Sequence, residues 1–124
     1  SPRDPRWLGT LEFIRTHLVE DALVFRRAPA DRALDGLPGT EGSFLACSFW
    51  FVECLARAGE VTEARLLFEK LLGYASPLGL FAEELSPAGL HQGNYPQALT
   101  HLALISAASY VNRALKSETP RAWS

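Results

Sequence analysis

Residues 79–87, Gly-Leu-Phe-Ala-Glu-Glu-Leu-Ser-Pro, set two adjacent carboxylates, Glu83 and Glu84, between an apolar run and a turn. A carboxylate drawn out of water keeps its proton to higher pH, which suits it to general acid or base work. On this feature two readings stay open: a cleft carboxylate that does chemistry, or a solvated loop pair with one member matched by an arginine. Residues 93–101, Gly-Asn-Tyr-Pro-Gln-Ala-Leu-Thr-His, bring the amides Asn94 and Gln97 to an expected helix start. Free N–H groups and the positive end of the helix dipole gather there, so such a place can hold a hydroxyl-rich ligand. Each amide taken alone also suits plain capping. His101 falls inside an apolar helix and is read as a satisfied core residue without a catalytic role. Thr40-Glu41-Gly42-Ser43-Phe44 opens another expected helix. A glutamate in a first turn is favourable by itself, and Glu41 gains interest only by sharing a face with Glu83.

Other chemistries lack their residues. There is no Gly-x-Ser-x-Gly elbow, phosphate-binding Gly-Lys loop or dinucleotide fingerprint. No Cys-x-x-Cys or His-x-x-x-His spacing offers a metal site. Cys47 and Cys54 are seven residues apart. On a helix their Cα atoms would be about 10 Å apart, beyond the roughly 4.4–6.8 Å a disulfide spans. They are expected to be buried thiols on one helix face, which points to a reducing cytoplasm.

The elements that must position these groups are helices. In residues 7–19, Leu8, Leu11, Ile14 and Leu18 recur at steps of three or four, with Pro5 just ahead. Residues 26–42 form a Pro/Gly loop. From about 41 to 58 a helix is predicted with Thr40 as N-cap and Gly59 as terminator, and no charge falls between Phe44 and Val52. A helix apolar all round is one enclosed by other structure. Thr62 then caps an amphipathic helix with the stripe Ala64, Leu67, Phe68, Leu71 and Leu72. A second long loop, residues 76–93, precedes a last, nearly all-apolar helix from Asn94 to about Leu115. The pattern is all-α, amphipathic and enclosed helices in alternation, with no strand of any strength. Long loops enter the N-terminal ends of both enclosed helices.

The 124 residues suffice for one domain or a piece of one. With 48% hydrophobic residues the chain is too apolar for disorder. A net charge of −2 gives no general reason to bind nucleic acid or an anionic membrane, and no apolar run approaches the roughly 20 residues of a spanning helix. The opening Ser1-Pro2-Arg3 reads as the start of a cut piece.

Glu-Gly-x-Phe at 41–44, Cys-Ser-Phe-Trp at 47–50, Glu83-Glu84, Gly-Asn-Tyr-Pro-Gln-Ala at 93–98 and His-Leu-Ala-Leu-Ile at 101–105 are specific as a set. Together they resemble the C-terminal catalytic region of glycoside hydrolase family 15, which holds bacterial glucoamylase-like enzymes and some trehalases. The resemblance covers about residues 5–115 of a single domain fragment, 1–124. It implies part of an (α/α)6 toroid whose pocket opens at the N-terminal ends of the inner helices. It also implies inverting hydrolysis of an α-linked glucoside by two opposed carboxyl groups, without metal or cofactor. The family's Phe-x-Glu-Gln/Glu motif falls on residues 81–84 and makes Glu83 the general base. Glu84 takes the neighbouring position, where it orients the base or the sugar. Glu41, Ser43 and Gln97 map to the pocket rim.

The family's general acid lies upstream in a tryptophan–glutamate segment that has no counterpart here. Glu84 cannot replace it, because adjacent residues cannot flank a sugar from opposite faces. The chain alone is therefore expected to be inactive, and its uncovered inner helices are expected to drive self-association. The alternative is a tetratricopeptide-like interaction module, which residues 55–68 resemble. That signature does not recur at its period of about 34 residues.

Overall fold

The computed structural model describes residues 1–25, 42–86 and 88–118. Thr40 and Glu41, the expected cap and rim residue, lie outside them. Helix α1 (Pro5–His17) starts where the Asp4 side chain accepts the Arg6 N–H at 2.9 Å and proline fills the first turn. It buries Leu11 and carries Arg15 and His17 near its negative end. A hairpin follows, β1 (Val19–Glu20) against β2 (Leu23–Val24). Its two turn residues, Asp21 and Ala22, both have positive φ, 51° and 68°, the geometry of a tight primed turn.

The next helix starts later than its apolar pattern implies. Ser43–Phe44 form strand β3, and α2 runs Leu45–Ala58. The reason is competition for backbone groups. β3 pairs with β4 (Glu84–Leu85), and the Leu45 N–H, which a longer helix would have kept, donates to the Glu83 carbonyl at 3.1 Å. Strand β5 (His91–Gln92) completes the order β3-β4-β5, all antiparallel, with Ser43 opposite Leu85 and Leu85 opposite His91. Two-residue strands are too short to show alternation, so nothing in the sequence marked them.

Helix α2 is the centre of the core: Leu45, Phe49, Val52 and Leu55 are wholly buried. It stops at Gly59, whose φ of 92° needs no Cβ, while the Glu60 N–H reaches back to the Leu55 carbonyl at 2.9 Å. Helix α3 (Val61–Leu72) follows at once, capped at Glu60 and not at Thr62, which lies inside the first turn. Arg15 ties α1 to α3 through a two-pronged bond to Glu63, at 2.9 and 2.7 Å. The joint between α2 and α3 has the helix-turn-helix form noted in the sequence, yet a sheet follows it in place of another repeat.

Helix α4 (Ala98–Glu118) begins four residues later than expected. Pro96 has no N–H to give, and the Gln97 N–H donates to the Phe81 carbonyl at 3.0 Å. α4 lies along α2 with Ala103, Ala107 and Val111 buried, small side chains that let the two axes approach. Leu99, Leu102 and Ile105 on its other side are exposed. Cys47 and Cys54 form no disulfide and are only half-buried, a correction to their expected burial. Burial still pushes the Cys54 thiol up.

Candidate active site

The segment 81–83 is fixed at every backbone polar group. The Phe81 N–H donates to His101 Nε2 at 3.1 Å, and its carbonyl accepts from Gln97. The Ala82 N–H donates to His91 Nδ1 at 3.1 Å, and its carbonyl accepts from the Thr100 hydroxyl at 3.1 Å. The Glu83 N–H donates to the Asn94 carbonyl at 2.9 Å, and its carbonyl accepts from Leu45. Phe81 and Ala82 are buried, so the bonds of these two residues satisfy groups that water does not reach. The Phe81 ring anchors the segment from below, edge-on to Phe49 with centroids 5.4 Å apart.

Glu83 itself is half-buried where the start of α2 meets the strand that leads into α4. Its Oε2 accepts from both the backbone N–H and the side-chain amide of Asn94, each at 3.4 Å. Among the described residues no hydrogen bond engages Oε1, which leaves one carboxylate oxygen held and the other open. Gly93 makes this approach feasible. It has φ of 75°, and a Cβ there would stand 2.8 Å from Glu83 Oε2 and 3.1 Å from Glu83 Cβ.

The other residues singled out in the sequence fall around this point. Glu84 is half-buried and sits in the ladder between Phe44 and Gln92. Gln97 is half-buried one residue before α4, and its carbonyl accepts the His101 N–H at 3.2 Å. Ser43 is wholly buried, with its hydroxyl donated to the Leu85 carbonyl at 3.2 Å, so it binds strand to strand. Gly42 lets the same strands close up: a Cβ on it would lie 2.9 Å from Gln92 Oε1 and 3.0 Å from the Leu85 carbonyl. Asn94, read as a helix cap, serves Glu83 instead. His91 was not singled out at all, and its only signal is its place between Gly89 and Gly93 in the long loop.

Two cavities lie on the α1 side. One of about 300 Å³ is apolar, with Trp7, Leu11, Val24, Phe25 and Trp50 in its wall, and one of about 610 Å³ is lined by Asp4, Trp7, Cys54 and Arg57 among others. Neither is lined by Glu83. Among the described residues no group of three His, Cys, Asp or Glu is placed to hold a metal ion, and no helix is long and apolar enough to cross a membrane.

The chain is 51% identical over 112 residues to a trehalase of Mycolicibacterium smegmatis, covering 90% of this chain and 17% of that protein. It is 52% identical over 114 residues to a trehalase of Mycobacterium tuberculosis, covering 91% and 17%. With a trehalase of Thermoplasma volcanium it shares 40% over 119 residues, covering 95% and 19%. The chain thus spans less than a fifth of the length of these relatives. No solved structure matches it. The described residues are mostly helical, four helices with two small sheets, which is consistent with a part of an (α/α)6 toroid; α4, expected to be enclosed, leaves Leu99, Leu102 and Ile105 exposed. The sequence model of Glycosyl hydrolases family 15 matches residues 1–109, and the chain belongs to that family.

Proposed function

We propose that the chain is the C-terminal part of the catalytic domain of an inverting α-glucoside hydrolase, glucoamylase-like or trehalase-like, and that Glu83 is its general base. The trehalase relatives favour trehalose as the substrate of the whole protein. In the reaction a water oxygen bonds to the anomeric carbon from the Glu83 side as the bond to the leaving oxygen breaks. Glu83 takes the water's proton, and a carboxylic acid on the opposite face gives one to the leaving oxygen. Such a pair is roughly 6.5–9.5 Å apart, so Glu84 cannot be the acid, and that group comes from outside this chain. Glu84, Gln97 and Glu41 would contact sugar hydroxyls at the rim, where Ser43 braces the strand. Two cysteines outside any disulfide favour a cytoplasmic setting.

The carrying observation is the one-sided hold on Glu83: Oε2 bonded to Asn94, Oε1 open, and each backbone polar atom of residues 81–83 hydrogen-bonded. The test is Glu83→Gln in the full-length protein with trehalose. Loss of a positioned base should lower kcat by about 10³-fold with little change in KM. A turnover within a few fold of the parent would overturn the assignment. The 124-residue chain alone should release no glucose from trehalose or maltose, and release would show that the acid lies within it.

A further inference from the structure

Two histidines hold the peptide that carries Glu83, and both do so through a nitrogen that must be unprotonated. His101 Nε2 accepts the Phe81 N–H. His91 Nδ1 accepts the Ala82 N–H, while its Nε2 lies 2.9 Å from the Tyr74 carbonyl and therefore bears the proton. In each ring the one remaining basic nitrogen is the one that accepts. A proton added to either ring lands on the hydrogen bond itself and sets N–H against N–H at a buried peptide.

We propose that His91 and His101 are positioning residues of the hydrolase: their neutral rings fix Phe81 and Ala82, and acid conditions release the Glu83 segment by protonating these rings. This rests on the reading of Glu83 as the base. His91 arises from β5 and His101 from α4, so the segment is clamped from two separate elements, with Phe81 between the rings at centroid distances of 6.4 and 5.9 Å. Around His91 stand the Tyr95 ring, 5.7 Å away, and the Tyr74 main chain. Asp21 and Lys70 lie at the far end of the Tyr74 side chain. Glu83 and Glu84 are the acidic groups of the held segment and the strand it enters.

The experiment uses the full-length protein. An amide oxygen accepts an N–H at any pH, and Gln at 101 and Asn at 91 place one near the ring nitrogens they replace. The double variant His91→Asn/His101→Gln should retain more kcat/KM for trehalose at neutral pH than His101→Ala does, and carry its acid limb at least about half a pH unit below the parent's. His101→Ala, with no acceptor, should lose about tenfold or more across the whole profile. An acid limb unmoved in an active double variant overturns the proposal. Hydrogen exchange of the peptide spanning residues 79–86 gives a second readout, in the unmutated protein. After correction for intrinsic rate, its protection should fall on acidification from pH 7.5 to 5, in step with the acid limb. Protection that does not change overturns the proposal even if the variants fail to fold. Glu83→Gln separates the two ideas. If turnover survives but protection still falls with acid, the base is wrongly assigned and the histidine clamp stands. If turnover is lost and protection is flat, the base stands and the clamp fails.

Discussion

The two faces of helix α4 are finished to different degrees. Its N-terminal end meets the Glu83 segment through Gln97, Thr100 and His101, and every backbone polar atom of residues 81–83 has its partner there, on β5, at Asn94 or at the start of α2. The outward face carries Leu99, Leu102 and Ile105, which are 50%, 63% and 63% exposed. The backbone polar groups of residues 81–83 are thus satisfied within this chain, whereas no described residue covers the apolar stripe a turn away. The contrast separates two requirements of a carboxylate that acts as a base. Its orientation is set locally, by short-range hydrogen bonds, and its enclosure depends on structure beyond these residues.

After loss of the Glu83 carboxylate itself, the sharpest blow to the finished face is Gly93→Ala. The change adds a methyl 2.8 Å from Glu83 Oε2, at a φ of 75° that L side chains adopt only under strain. The carboxylate has to swing away, and a displacement of about 1 Å costs on the order of 10²-fold in turnover. Steady-state kinetics of the full-length variant should show that loss in kcat, with the fold retained by circular dichroism. Unchanged kcat would mean that the hold on Oε2 does not position the base.

Much of this face was legible before any coordinates, and some of it was not. The family resemblance at Phe81-Ala82-Glu83-Glu84 singled out the segment that the structure holds at every backbone polar group, and the uncharged run at 44–52 gave the buried character of α2. At both places where the site lies the helix starts later than the local sequence pattern implies, at Leu45 and at Ala98. At Ser43 and Asn94 local sequence favours helix, but the N–H groups that would begin it are taken by the Glu83 and Phe81 carbonyls from distant parts of the chain. Helix starts chosen by long-range pairing leave no local pattern. His91 went unremarked for the same reason, since its role exists only once β5 is beside β4.

On the unfinished face, Leu102→Lys tests whether the exposed stripe acts as a surface. We propose that the isolated chain self-associates through it, because contiguous apolar patches beyond a few hundred Å² are rare on monomers. Leu102 is 63% exposed, so the substitution should alter stability by no more than about 0.5 kcal/mol. Light scattering at micromolar concentration should show a larger mass for the parent chain and a monomer for the variant. A parent chain that is already monomeric removes the second half of the comparison.

The smallest effect expected lies far from both faces, at the turn of the β1–β2 hairpin. Lys70 donates to the Asp21 carboxylate, and the Tyr74 hydroxyl donates to it at 3.3 Å. The Lys70 hydrogen bond holds the Asp21 carboxyl below its usual range, and the same bond raises the Lys70 ammonium. The folded state thus binds fewer protons at Asp21 than the unfolded chain does. Its contribution is full above about pH 3.9 and is lost as pH falls through the depressed value; that of Lys70 is full below about pH 10.4 and is lost as pH rises past the raised value. Asn tolerates the positive φ of 51° at this position as well as Asp does, so Asp21→Asn removes charge without disturbing the turn. The variant should melt slightly below the parent at pH 7. That gap should close in 1 M salt, where the screening length is about 3 Å, and in acid once Asp21 is protonated in the parent too. A gap that persists in both conditions would assign the contact to the neutral hydrogen bond from Tyr74, and would mark this hairpin as held by geometry in the way the Glu83 segment is.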